Sequence, residues 1–282
     1  MESRTRRGLT LAIVAVATLA ATAPAQQTGT FALYAKKSHV VSKFWAVGQG
    51  PTQSLKVRQY GDDGTPVLHY GIDMGGTMHY FIVRDDFSTF KHYSAAFSMD
   101  GTFSHDFTRD AGHNYYLFAD SHPVDSGRQV FRFDIGNPAA SGHPSMTASG
   151  TDSSAGPYSV IFSKTTLAAN TPYMMLVTID RDGKGAQDLS PYFGGAAHMV
   201  MIQMSSLDYV ELHPTLRGQK LDKSQSYTVE QEIVRLQTNS QVGPNQQVEI
   251  PALPAGTYKV WYEFTGGVTQ HKYAAPFTLV VQ

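Results

Sequence analysis

The sequence predicts an all-β protein built as two tandem immunoglobulin-like antiparallel β-sandwiches, and three observations carry that reading. Most of the chain consists of short runs rich in Val, Ile, Tyr, Phe and Thr, bounded by Gly, Asp, Asn or Pro, with little 3.6-residue periodicity. The pattern Asp63-Gly64, Gly75-Gly76, His79 returns 119 residues later as Asp182-Gly183, Gly194-Gly195, His198. Self-similarity on that scale indicates two copies of one folding unit. Between the copies, GNPAASGHPSMTASGTDSSAGP (136–157) is mostly Gly, Pro, Ala, Ser and Thr and reads as a linker. A chain of 282 residues with 41% hydrophobic and 11% aromatic residues has the material for two cores.

Taken in order, residues 1–25 read as a signal peptide. Arg4, Arg6 and Arg7 precede an apolar run over 9–21, and Ala23-Pro24-Ala25 places small residues where a signal peptidase reads. The run is too short and too rich in alanine for an anchor, and no later stretch approaches ~18 apolar residues. A periplasmic or secreted chain with no transmembrane segment after cleavage is expected, by either general or twin-arginine export. Residues 26–136 form the first sandwich, 137–157 the linker and 158–282 the second sandwich. TQSLKVRQY (52–60) lies over TPYMMLVTI (171–179), and GGTMHYFIVRDDFSTFKH (75–92) over GGAAHMVMIQMSSLDYVELH (194–213) if two residues are inserted at the turn. YYLFAD (115–120) and YKVWYE (258–263) each follow an Ala-Gly pair and read as a late strand, with Trp261 as a large apolar contributor to the second domain. Residues 216–247 have no counterpart in the first copy. They read as an inserted polar flap, in which YTVEQEIVRL (227–236) suits either a short helix or an extra hairpin.

Composition removes several function classes. Lys plus Arg is 22 against 23 for Asp plus Glu, a net charge of −1, so there is no basic field for nucleic acid. The absence of cysteine excludes disulfides, thiolate-bound metals and thiol catalysis. No G-x-S-x-G, phosphate loop, dinucleotide fingerprint or H-E-x-x-H occurs. Ser88-Thr89-Phe90-Lys91 has the S-x-x-K spacing, but strand alternation sets positions three apart on opposite faces. Asp180-Arg181-Asp182-Gly183 looks like half a calcium loop, yet Lys184 stands where a ligand belongs, so it reads as a turn. A non-catalytic role is the expectation.

The histidines carry the sharpest chemistry. His79 and His92 are 13 apart, and His198 and His213 are 15 apart. Odd separations let the members of each pair face each other across a hairpin. The symmetric register pairs Phe81 with Phe90 and Ile202 with Tyr209, and puts Asp85-Asp86 and Ser205-Ser206 at the turn centres. Opposed Cβ atoms lie ~4.5–5.5 Å apart, within reach of one ion held by two imidazoles. A third ligand would come from Asp120 or His122 in the first copy and from Glu263 or His271 in the second. Met74, Met78, Met199, Met201 and Met204 are nearby soft ligands that favour copper. Two sites, one per sandwich, holding copper or another transition metal are therefore expected. Against this stands a structural reading, in which strand-end histidines cap a sandwich, methionines fill cores, and the partner is an envelope protein or glycan.

His79 to His92 (HYFIVRDDFSTFKH), the His213-Pro214 pair, Ala-Gly-x-Tyr-x-Val-x-Tyr-x-Phe at 255–264 and LSPYFGG at 189–195 resemble exported bacterial proteins with tandem YtkA-like, immunoglobulin-type domains. The likeness covers most of both copies. It implies a hairpin that begins with His and closes in His-x-His-Pro, and a role in envelope metal handling. Here His92-Tyr93-Ser94-Ala95 and Glu211-Leu212-His213-Pro214 each keep one of the two closing histidines, which thins the implied site.

Overall fold

Alternation of apolar and polar positions sets each strand's buried face, and the computed structural model shows twenty strands and no helix among its described residues, 40–124, 126–136, 147–192, 195–218 and 242–282. The strands are β1 (Val41–Val47), β2 (Thr52–Tyr60), β3 (Met78–Arg84), β4 (Phe90–Ser94), β5 (Ala96–Phe97), β6 (Thr102–Thr108), β7 (Tyr115–Ser121) and β8 (Gln129–Ile135). They continue as β9 (Asp152–Ala155), β10 (Tyr158–Phe162), β11 (Thr166–Leu167), β12 (Tyr173–Arg181), β13 (Lys184–Gly185) and β14 (Leu189–Ser190). The last are β15 (His198–Gln203), β16 (Tyr209–Leu212), β17 (Thr215–Leu216), β18 (Asn245–Ile250), β19 (Gly256–Gly266) and β20 (His271–Val281).

The first sandwich packs sheet β1-β2-β6-β5 on sheet β4-β3-β7-β8 around Leu55, Val57, Tyr80, Ile82, Phe103, Leu117 and Phe131. The second packs β17-β18-β12-β10-β9, with β13 on β12, against β11-β20-β19-β15-β16, with β14 on β19, around Val160, Phe162, Val177, Met201, Val260, Tyr262 and Phe277. All strand pairs are antiparallel except β11 with β20. Strand β9 begins inside the segment read as linker, so the second sandwich starts before residue 158. Leu216 and residues 245–247 belong to β17 and β18, which pair with each other, so the segment absent from the first copy is shorter than 216–247. The stretch 227–236 lies outside the described residues, as do residues 1–25. Asp182-Gly183 closes the β12–β13 hairpin with φ of 53° and 73°, the left-handed pair that a two-residue turn needs. No described helix is long and apolar enough to cross a membrane.

The registers relate the copies strand by strand. Phe81 pairs with His92, and Val200, 119 residues on, pairs with Glu211. Arg84 N donates to Thr89 O and Gln203 N to Asp208 O, so the two hairpin loops have the same length. The two-residue insertion expected at the turn is absent, and His92 corresponds to Glu211, not to His213. Ile202 does pair with Tyr209, but Phe90 pairs with Val83 instead of Phe81, and His79 lies opposite Ser94. A histidine-to-histidine match is out of register by two residues, a shift that keeps every side chain on its own face.

A third apolar layer joins the sandwiches. Strands β3 and β15 are buried on both faces. One face enters each sandwich's own core, while Phe81, Val83, Phe118 and Val130 meet Val200, Ile202, Tyr209 and Trp261 between the sheets. Trp261 thus belongs to this layer and not to the second core. It stacks on Phe90 at 4.7 Å, and the corresponding residues exchange roles, with Tyr209 stacked on Phe118 at 5.4 Å. Mutual contacts of this kind mark two faces related by a two-fold axis.

Candidate metal centre

At one edge of that layer the apolar contacts give way to polar groups. Strands β3 and β4 bring in His79 and His92, and β15, β16 and β19 bring in His198, Glu211 and Glu263. Gly76 makes room for the His79 ring, because a Cβ there would lie 3.0 Å from its Cε1 and Nε2 atoms. Glu263 pairs with His198 across β15–β19, as Asp120 pairs with His79 across β3–β7.

Hydrogen positions follow from the partners. The Asp73 carbonyl only accepts, so His79 Nε2, 2.8 Å away, donates to it. A neutral His79 then offers its Nδ1 lone pair to His92 Nε2–H at 3.0 Å. A neutral His92 is left with a lone pair at Nδ1, the atom facing Glu263 Oε2 at 3.0 Å. His198 stands between two carboxylates, with Nε2 2.5 Å from Glu211 Oε1 and Nδ1 2.6 Å from Glu263 Oε2. A neutral ring has one proton for these two acceptors. Donated to Glu211, it leaves the His198 Nδ1 lone pair beside that of His92. One ligand atom from each of His92, His198 and Glu263 lies within 4.8 Å of the others. The Tyr192 hydroxyl, 3.0 Å from both Glu263 Oε1 and His92 Nδ1, donates to the carboxylate.

The electrostatics favour neutral rings at His79 and His198 and an ionised Glu263 carboxyl. Burial pushes His198 down to about 4 against the pull of Glu263. Burial, aided by the neighbouring His92, also lowers His79 to about 4. For Glu263 burial acts upward, but His92 and His198 outweigh it and hold the carboxyl well below the usual range. Burial and the adjacent Glu263 keep the Tyr192 phenol protonated.

The structure therefore brings the expected ligands together differently from the sequence reading. His79, His92, His198, Asp120 and Glu263 gather in one interdomain cluster instead of two hairpin sites. His213 sits at its margin, with Nε2 3.9 Å from Glu211 Oε1, and His122 Nε2 is 3.3 Å from Asp73 Oδ2. Asp120 is held by Arg128 and lies 3.3 Å from the Tyr209 hydroxyl. His271 is exposed at the start of β20, paired with Gly266 and away from the cluster. Met78, Met199 and Met201 occupy the sandwiches' own cores, on the opposite strand faces from the histidines. Sequence reasoning missed Glu211, Tyr192, Asp73 and Arg128. The ungapped offset of 119 residues places Glu211 over His92 and Tyr192 over Asp73, and was the signal that would have found three of them.

Fold and site together define a two-sandwich all-β protein with a buried polar centre shared between its halves. A family model described as a domain of unknown function, DUF8832, matches residues 152–282, the second sandwich from β9 onward. No curated protein matches the chain.

Proposed function

We propose that the protein is an exported, non-catalytic binder of a divalent transition-metal ion, held between the sandwiches by His92, His198 and Glu263. The observation that supports this best is the convergence of two imidazole nitrogens, His92 Nδ1 and His198 Nδ1, on one buried carboxylate. With the rings in the neutral tautomers described above, that arrangement sets lone pair against lone pair unless a cation lies between them, and burial works against an extra proton on His198. The surroundings also suit a metal. A ligating imidazole commonly donates its other N–H to a carboxylate or carbonyl, as His198 does to Glu211 and His92 does, through His79, to the Asp73 carbonyl. Two nitrogens and one oxygen without sulfur fit Zn(II) or Cu(II) better than reduced copper. The signal-like residues 1–25 support an envelope role in metal handling. X-ray absorption on the Zn(II)-loaded full chain tests the site. Nitrogen and oxygen neighbours with imidazole scattering are expected, and a sulfur neighbour or the spectrum of the hydrated ion would contradict it.

A second reading, an envelope module that binds a protein or glycan, is favoured by one observation: contacts within the protein already engage both ring nitrogens of His79, His92 and His198. On that reading the network latches the sandwiches together and takes no ion.

A further inference from the structure

We infer that the guanidinium of Arg128 is the built-in cation of a second, symmetry-related metal position, so that the interface holds one metal ion instead of two. This rests on the metal reading above. The correspondence of the copies carries His92 onto Glu211, His198 onto His79, Glu263 onto Asp120 and Tyr192 onto Asp73. The first position gathers two imidazoles and a carboxylate. Its partner gathers the carboxylates of Asp120 and Glu211, and both hold Arg128. Asp73 and His213 add further donors, each with a ligand atom within 4.8 Å of one from Glu211.

Arg128 enters from the residue before β8. The registers of β7 with β8 and β19 with β20 make Lys272 its counterpart. That side chain takes a different course: Lys272 is exposed, and its Nζ lies over the Tyr192 ring, 5.7 Å from the centroid. One backbone position thus carries a cation in both copies: Lys272 feels the charge of Glu263, and Arg128 bridges the ligand-type carboxylates of Asp120 and Glu211. Buried carboxylates this close need a positive charge among them. A guanidinium supplies it permanently and bidentately, and thereby withholds Glu211 from any ion.

Titration of the metal-stripped full chain with Zn(II) alone tests the inference. The wild type is expected to take one ion, and Arg128→Gln two. The neutral triple variant Asp120→Asn, Arg128→Gln, Glu211→Gln removes the second set of carboxylates with little change of shape and should gain no second ion. If Arg128→Gln does not fold without metal, a cooperative thermal transition should return when Zn(II) is added. A wild type that binds two ions, an Arg128→Gln chain that gains none, or a transition that does not return overturns the inference. A wild type that binds none beside an Arg128→Gln chain that binds one upholds it and overturns the His92, His198 and Glu263 site instead.

Discussion

Glu263 faces both histidines at once, His92 from the first sandwich and His198 from the second. Replacing it by Gln keeps the shape but removes the carboxylate on which the two ring nitrogens converge, so Zn(II) binding should be lost in a chelator competition assay. Glu211 acts one step further out by fixing the His198 tautomer. Glu211→Gln should therefore weaken binding ~10–100-fold and not abolish it, and equal losses for the two variants would contradict these roles. The same residues set a pH dependence. His79 and His198, ordinarily near 6.5, are lowered to about 4 in the fold. The unfolded chain then binds more protons between those values, and stability rises with pH across the window. It is full above about pH 6.5 and is lost as pH falls toward about 4. The thermal midpoint of the metal-stripped chain should be lower at pH 5 than at pH 7.5, and an unchanged or higher midpoint would contradict the neutral rings. At this scale the sequence disclosed which residue types matter but not their partners. Residues His79, His92, His198, Asp120 and Glu263 were legible as candidate ligands. Glu211 was not, because a search for paired histidines passed over a carboxylate standing in the place of one.

Strands β3 and β15 explain why the site was expected on the hairpins themselves. A strand buried on one face alternates apolar and polar residues, whereas one buried on both faces reads as a nearly unbroken apolar run. HYFIV (79–83) and HMVMI (198–202) are runs of that kind, and the second buried face they implied is the contact with the other sandwich. Repeats, turns and strands were legible because they are local patterns. Sheet-on-sheet docking was not, because it depends on two distant faces meeting. Trp261 and Phe90 stack within that contact, with rings 14° from parallel. Trp261→Ala should cost about 3–5 kcal/mol in urea unfolding. A loss below about 1 kcal/mol would mean that the interface is not packed as a core.

For the whole molecule, the duplicated halves face each other through related surfaces, and the proposed metal ligands are divided between them. Binding there stabilises the docked pair, since an ion that meets only the native state adds about 2.7 kcal/mol at a hundredfold excess over Kd. Zn(II) should accordingly raise the thermal midpoint of the wild type and leave that of Glu263→Gln unchanged, and scanning calorimetry of the two chains checks this. The central claim is that one site needs both sandwiches, and isothermal titration of the metal-stripped full chain with Zn(II) tests it most directly. His92→Ala in the first sandwich and His198→Ala in the second should each abolish binding, while His271→Ala, altering an exposed residue away from the cluster, should leave the wild-type isotherm. No heat with the wild type, or the two single variants each keeping half of the binding, would contradict the shared site.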